Sequence, residues 1–222
     1  MKTTSGRKKV LIVDDHPLLR EGLGRVINQQ PDLVVCGGAA DESAGLAAVK
    51  KLRPDVVIAD ISLEEGSGLD LIKTIHDQHP DLPILALSMH HEDVYAERAL
   101  HAGASGYVMK RDPVSHVVAA LRKLLNGQMA VSDSIVGRIM GRSSRNGKSA
   151  NSTPVEALSN RELEIFRALG EGRGTKEIAR MLHLAVSTVE SYRAGIKKKL
   201  HLRTAPELVS SATRFVAEES AR

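Results

Sequence analysis

Five polar residues of a type that can handle a phosphoryl group lie at the ends of short apolar segments. Asp14 and Asp15 follow one segment, Asp60 follows another, and Ser88 and Lys110 end two more. Clustered carboxylates repel one another unless a cation lies among them, and their hard oxygens suit Mg²⁺, which usually binds together with a phosphate. A carboxylate can accept a phosphoryl group when metal and a second cation neutralise the developing charge. Lys110 would supply that cation, and the Ser88 hydroxyl could bond a phosphoryl oxygen.

Over the first 125 residues or so, the short apolar segments alternate with segments of helical periodicity, which is typical of an α/β fold. We predict strands at Val10–Val13, Leu33–Cys36, Asp55–Ala59, Ile84–Leu87 and Gly106–Met109. We predict helices at Pro17–Asn28, Glu42–Leu52, Gly68–His79, Glu92–Ala102 and Pro113–Leu125. The pattern predicts a doubly wound, flavodoxin-like sheet of five parallel strands. The strands' carboxyl ends should bring the polar residues together near the point where strand order reverses.

The composition changes after this repeat. Residues 141–155 are rich in Ser, Asn and Gly and lack apolar periodicity, so they are predicted to be a flexible linker. We therefore predict a first domain over 1–128, a linker over 129–155 that includes a possible short helix at Ser132–Met140, and a second domain over 156–222. Two domains suit a chain of 222 residues.

The second domain is predicted to be all-α. Ser159 with Glu162 reads as a capping box that opens a first helix, and Thr175 opens a short second. Ser187 with Glu190 reads as another capping box, opening a third helix. A fourth helix is predicted from about Thr204 to Val216. The short connection between the second and third helices is typical of a helix-turn-helix.

Charge is divided unevenly along the chain. Residues 1–140 carry 16 Lys and Arg against 18 Asp and Glu, a net charge of −2, whereas residues 141–222 carry 15 against 9, a net charge of +6. Such a basic domain is the electrostatic pattern expected of a nucleic-acid binder, although a solvated basic surface is an equal alternative from charge alone. The single Cys36 excludes an intramolecular disulfide, and no apolar run is long enough to cross a membrane. We therefore expect a cytoplasmic protein without membrane contact.

The motifs around the polar residues resemble the receiver domain of NarL/FixJ-type response regulators. The similar segments are VLIVDDHPLLREGL, DVVIADISLEEGSGLDLI, LALSMH and GASGYVMK. The resemblance implies that Asp60 is the phosphoacceptor for a histidine kinase. It implies a Mg²⁺ site made by Asp14, Asp15 and Asp60 together with the Ser62 carbonyl.

The resemblance also assigns the residues that respond to phosphorylation. It implies that Lys110 pairs with the phosphate, that Ser88 is the switch hydroxyl and that Tyr107 is the switch aromatic. Two departures from the family pattern are Glu64, where Pro is common, and Arg111, where many receivers have Pro. The first puts the loop shape and the rate of dephosphorylation in question, but not the acceptor.

Three histidines border the predicted pocket. His16 follows the acid pair, and His90 and His91 follow Ser88. Imidazoles beside carboxylates could bind a transition metal. We favour solvated loop histidines, because a receiver does not need them.

The segment LSNRELEIFRALGEGRGTKEIARMLHLAVSTVESYRAGIKKKL resembles a LuxR-type helix-turn-helix domain. Its third helix is the predicted recognition helix for the major groove. The expected DNA contacts come from this helix: Thr188, Glu190, Ser191, Arg193, Lys197 and Lys198. We expect Lys197 to Lys199 to bind phosphates and regard Arg193 as a candidate guanine reader. Glu190 has two open roles, as the capping residue or as an acceptor from cytosine.

We therefore predict a transcriptional regulator, not an enzyme, which binds promoter DNA as a homodimer. The resemblance suggests that the resting receiver masks the recognition helix or disfavours dimerisation, and that the fourth helix makes dimer contacts. A haloacid-dehalogenase-like phosphatase would need an acid where this chain has Ser62, and a dinucleotide oxidoreductase would need a Gly-rich turn after the first strand. A DNA-binding protein with a decayed receiver is disfavoured because all five pocket residues are present.

Overall fold

The computed structural model describes residues 6–63, 66–89, 92–137 and 154–220. The chain forms two compact units, one ending at Gly137 and the other beginning at Arg138. Most of the predicted linker lies outside the described residues, as do Glu64, His90 and His91.

The first unit is built on five parallel strands. They are β1 Lys8–Val13, β2 Leu33–Ala39, β3 Val56–Asp60, β4 Ile84–Ser88 and β5 Gly106–Met109. Their order in the sheet is β2-β1-β3-β4-β5. Every residue of β3 and β4 is buried, as expected for parallel strands that helices cover on both faces. Strand order reverses at β1, so the ends of β1 and β3 form the crevice where such sheets bind ligands.

Four helices connect the strands, and a fifth follows β5. They are α1 Pro17–Asn28, α2 Glu42–Leu52, α3 Gly68–Gln78, α4 Glu92–His101 and α5 Val114–Leu125. Side-chain caps fix two of the starts: Asp41 accepts from the Ala44 backbone N–H before α2, and Ser67 accepts from the Asp70 backbone N–H before α3. The predicted five-stranded parallel fold is confirmed, with differences of one to three residues at element ends.

The chain after α5 returns to the edge of the sheet. Ala130 forms an isolated parallel bridge with Gly106, and its carbonyl accepts from the Tyr107 backbone N–H at 2.8 Å. Residues 133–137 are helical, in agreement with the start of the predicted short helix, whose last three residues lie outside the described part.

The described part of the second unit, residues 154–220, contains a 3₁₀ turn, Pro154–Ala157, and four helices. The helices are α6 Asn160–Gly170, α7 Thr175–Met181, α8 Val186–Lys199 and α9 Ala205–Ser220. The capping box of Ser159 and Glu162 is present at the start of α6. The helix α9 runs four residues beyond its predicted end.

A compact apolar core holds the four helices together. Phe166 of α6 is fully buried, and its ring centroid lies 5.7 Å from that of Phe215. Gly170 allows α9 to approach, because a Cβ atom there would lie 2.4 Å from the Ala212 carbonyl oxygen. In α8, Val189 and Ile196 face the core, which leaves the opposite side of that helix toward solvent. Among the described residues, no helix is long and apolar enough to span a bilayer.

Candidate functional site

The acids predicted from the sequence meet at the carboxyl ends of β1 and β3. Asp14 follows β1 directly, as predicted. Asp60 is the last residue of β3, whereas the sequence predicted that it would come just after the strand. Both carboxylates are fully buried, and Asp15 next to them is nearly so. Ser88 ends β4 and is also fully buried. The sheet therefore concentrates negative charge where little water can screen it.

Lys110 bridges the acids. It follows β5, where its backbone N–H donates to the Ser88 carbonyl at 2.7 Å. Its Nζ lies 2.7 Å from Asp14 Oδ2 and 2.7 Å from Asp60 Oδ2. Burial alone lowers the pKa of Lys110, but the Asp60 and Asp14 carboxylates raise it above the ordinary value. The lysine is therefore a fixed positive charge between two carboxylates.

Asp60 is poorly solvated. Burial raises its pKa from 3.8 to about 7, and repulsion from Asp14 adds to the rise while Lys110 opposes it. One oxygen, Oδ1, accepts from the Ser62 backbone N–H at 3.0 Å, and the other contacts Lys110. A single lysine does not neutralise the acids around it, so the pocket favours a further cation.

Four side chains could hold that cation. Ligand atoms of Asp14, Asp15, His16 and Asp60 all lie within 4.8 Å of one another. His16 Nδ1 is 2.7 Å from Asp15 Oδ1 and 3.2 Å from Asp14 Oδ1, and the His16 side chain is 64% exposed, so His16 is the solvated loop histidine that was predicted but also contacts the acids. The ring follows the acids directly in the chain, and Asp14 Oδ1 also accepts from the His16 backbone N–H at 2.9 Å. Carboxylate oxygens dominate the cluster, and they fit a hard divalent cation.

Two positioning residues were not predicted from the sequence. Arg20 of α1 donates to the Asp14 carbonyl and so ties the helix to the acid-bearing loop. Gly68 begins α3 against the end of β3, where a Cβ atom would lie 1.9 Å from the Asp60 carbonyl oxygen. The signal for Arg20 was its place in the first turn of α1, since helical side chains lean toward the N-terminus.

The two residues assigned to the switch lie on neighbouring strands. Ser88 is in register with Met109, and Ala86 with Tyr107. Residues two apart in a strand share a face, so Ser88 and Tyr107 belong to the same face of the sheet. Both side chains are buried. Only 5% of Tyr107 is exposed.

The third helix of the second unit differs from its prediction at its start. The capping box of Ser187 and Glu190 is wrong: α8 begins at Val186 after Ala185, with no side-chain cap. Ser187 therefore lies inside the first turn, where it cannot cap. Glu190 instead bonds with Thr175 and Arg193.

The predicted DNA-contacting residues have unequal exposure. Glu190, Ser191 and Lys198 are exposed, whereas Thr188, Arg193 and Lys197 are half-buried. Arg193, the candidate guanine reader, is bound by Glu190 and Thr175, which explains its limited exposure. Lys199 is also engaged, because its Nζ lies 2.6 Å from Glu162 Oε2 of the α6 capping box.

A five-stranded receiver-like domain with an acidic pocket, followed by a helix-turn-helix domain, defines the response-regulator class. Residues 10–122 match the family model of the response regulator receiver domain, and residues 156–212 match that of the bacterial regulatory proteins of the luxR family. The chain belongs to the response regulators that join a receiver domain to a LuxR-type domain.

Curated relatives and solved structures agree with this family. The oxygen regulatory protein NreC of Staphylococcus epidermidis is 36% identical over 209 residues, which are 92% of this chain and 96% of the relative. NreC of Staphylococcus carnosus is 37% identical over 208 residues, with the same coverage. RcsB of Salmonella enterica serovar Typhimurium, bound to the promoter P1flhDC with the phosphomimetic BeF3⁻, shares 27% identity at a TM-score of 0.66, covering 94% of this chain and 100% of RcsB.

Proposed function

We propose that Asp60 accepts a phosphoryl group from a sensor histidine kinase and that this event controls binding of the second domain to promoter DNA. The observation that carries the first part is the position of Asp60, buried at the end of β3 between Lys110 and the acid pair. An Asp60 carboxylate oxygen attacks the phosphorus, an O–P bond forms, and the P–N bond to the kinase histidine breaks. The leaving imidazole keeps the electron pair of that bond.

The carboxylates of this pocket fit Mg²⁺, which would be held by Asp14, Asp15 and Asp60 together with the Ser62 carbonyl. When bound, it would neutralise charge on the phosphoryl oxygens. The Asp60 oxygen that attacks the phosphorus must not be paired with Lys110. A cation bound among the acids can replace the lysine as their partner, so it favours the reactive arrangement. Lys110 is then available to pair with the phosphoryl group through its ammonium.

We assign the conformational response to phosphorylation of Asp60 to Ser88 and Tyr107. The Ser88 hydroxyl lies at the end of β4, beside β3, where it can donate to a phosphoryl oxygen on Asp60. Tyr107 shares a sheet face with Ser88, so a movement of Ser88 alters the space around the ring. We propose that this change reaches the second domain through a linker over 129–155, between domains over 1–128 and 156–222.

The acceptor assignment is tested by incubating the full chain with acetyl phosphate and Mg²⁺ and measuring its intact mass. We expect one added phosphoryl group in the wild type and none in Asp60→Asn. Lys8→Met is a matched control, because it removes an exposed lysine that pairs with Asp55 away from the pocket. Phosphorylation that persists in Asp60→Asn would overturn the assignment.

The second domain is proposed to bind DNA as a homodimer in the cytoplasm, with α8 in the major groove. The net charge of +6 over residues 141–222 and the exposed polar face of α8 support this. Lys197 and Lys198 are assigned to phosphates. Lys197→Ala or Lys198→Ala should weaken binding to all sequences and reduce the salt slope by about one. An unchanged slope in both variants would remove these lysines from the interface.

A further inference from the structure

Three side chains form a closed polar triangle in the second domain. Arg193 Nη1 lies 2.9 Å from Glu190 Oε1, three residues away on α8. The Thr175 hydroxyl, from the first residue of α7, donates to the same oxygen at 2.9 Å. Arg193 Nη1 also donates to the Thr175 hydroxyl. The triangle therefore joins the start of α7 to the middle of α8.

The members of the polar triangle differ in what they present to solvent. The Arg193 side chain is only 18% exposed, whereas that of Glu190 is 55% exposed. Both hydrogen bonds to Glu190 fall on Oε1. Its second oxygen, Oε2, is therefore the acceptor available to a partner on the exposed face of the helix. Arg193 has its guanidinium turned to its neighbours within the domain.

A carboxylate on a recognition helix meets two obstacles. The phosphates of DNA repel it, and a flexible Glu loses rotamer freedom when a base fixes it. The polar triangle reduces both, because Arg193 neutralises Glu190 at contact distance and two hydrogen bonds restrict its carboxylate. A fixed acceptor in the major groove matches the N4 amino group of cytosine.

We propose that Glu190 reads a cytosine and that Arg193 and Thr175 are positioning residues that fix and neutralise its carboxylate. The inference rests on the proposed DNA-binding function and replaces the expectation that Arg193 reads guanine. An ordinary ion pair between residues three apart on a helix would explain the Arg193 contact alone. It would not explain the hydroxyl that Thr175 contributes from a different helix.

The test selects binding sites from a random-sequence DNA pool with the full chain, treated with acetyl phosphate and Mg²⁺. Affinities are then measured on duplexes that carry single base changes. Glu190→Ala should lose preference for cytosine at one position, by a factor on the order of 10. Arg193→Met should lose preference at the same position, and the double variant should lose no more than either single one. Thr175→Val should give a smaller loss there.

A change of preference cannot arise from poor folding. Because Gln pairs with adenine in the major groove, Glu190→Gln should shift the preference at that position from cytosine toward adenine. Lys198→Ala is the matched control on the same helix, and it should weaken binding to all the duplexes by an equal factor.

Three outcomes would overturn the inference. Arg193→Met that relaxes a guanine at another position would make Arg193 an independent reader. Equal losses on every duplex in both Glu190→Ala and Arg193→Met would reduce the polar triangle to a structural or phosphate-binding role. A wild-type chain that selects no sequence would overturn the proposed DNA-binding function itself, and it differs visibly from the first two outcomes because no preference exists to lose.

Discussion

Each domain pairs a carboxylate with a cation at nearly the same distance, but in opposite surroundings. Lys110 Nζ lies 2.7 Å from Asp60 Oδ2, and 4% and 1% of these two side chains are exposed. Arg193 Nη1 lies 2.9 Å from Glu190 Oε1, and there the exposed fractions are 18% and 55%. The two contact distances are similar, so the energetic difference between the two ion pairs comes from their different exposure to water. Burial makes the receiver pair costly and dependent on its neighbours, whereas the second pair mainly restricts geometry.

The pocket also has more carboxylates than cationic side chains, which suits a site that binds a further cation. Asp14 and Asp60 share one lysine, and the pKa of Asp60 is raised by its burial and further by repulsion from Asp14, which Lys110 only partly offsets. The polar triangle contains one acid and one base and so needs no further ion. Variants that remove one charge from each region should separate the two cases.

The largest effect is expected from Lys110→Ala. Removing the lysine leaves buried carboxylates without their partner, which costs about 3–5 kcal/mol in the free energy of unfolding. Urea denaturation in metal-free buffer at a pH above the pKa of Asp60 measures this loss, and added Mg²⁺ should recover part of it. Mg²⁺ affinity should be kept or increased, because the ammonium no longer competes for the acids. The double variant Lys110→Ala/Asp60→Asn is the control and should be more stable than Lys110→Ala.

The next effect is a stabilisation by Asp60→Asn. The folded protein holds a proton on Asp60 with a pKa of about 7, above the ordinary 3.8, so its charged form is disfavoured by folding. Because the folded state binds this proton more tightly than the unfolded state, protonated Asp60 adds to the stability at low pH. That stabilisation is lost as the pH rises through about 7. The free energy of unfolding of Asp60→Asn should therefore exceed that of the wild type by an amount that grows with rising pH. Without metal, this difference should reach about 2 kcal/mol. A difference that does not vary with pH would contradict the raised pKa.

A smaller effect is expected where burial is partial. Lys199 pairs with Glu162, whose pKa is lowered overall because the Lys199 and Ser159 contacts outweigh its burial. Lys199→Met should cost about 1–2 kcal/mol at neutral pH, and the loss should shrink as the pH falls through the ordinary pKa of Glu162. Thermal denaturation measures it. Ser159→Ala, which removes the cap from the same helix, should cost about 1 kcal/mol.

The smallest effect on stability is expected from Arg193→Met. An ion pair three residues apart whose carboxylate is largely exposed contributes less than about 1 kcal/mol. The same denaturation experiment on DNA-free protein should therefore scarcely distinguish it from the wild type, although its base preference changes. A loss above about 2 kcal/mol would show that the polar triangle serves stability first.

The sequence predicts the pocket well because its geometry follows from strand ends. Once the apolar runs are parallel strands, Asp14, Asp60 and Ser88 must lie at one edge. The pairing of one Lys110 with two acids, and the close approach of Gly68 to β3, depend on loop paths that periodicity does not encode. The same holds for Arg20, whose partner is a backbone carbonyl rather than a residue type.

The recognition helix shows a different limit. Ser187 and Glu190 have capping-box spacing, but α8 begins one residue before Ser187 and Glu190 finds partners elsewhere. Thr175 lies 15 residues away from Glu190 in the chain, so no local pattern connects them. The positions of the helices can be predicted because burial follows a regular period, whereas a polar contact depends on the angle between two helices.

The most direct test of the account is to locate the phosphoryl group chemically. An acyl phosphate on an aspartate is reduced by borohydride to homoserine, which survives digestion and is placed by peptide sequencing. The full chain, treated with acetyl phosphate and Mg²⁺ and then reduced, should carry homoserine at position 60 alone. Homoserine at Asp14 or Asp15, or none in a chain that has gained a phosphoryl group, would contradict the assignment of Asp60 as the acceptor.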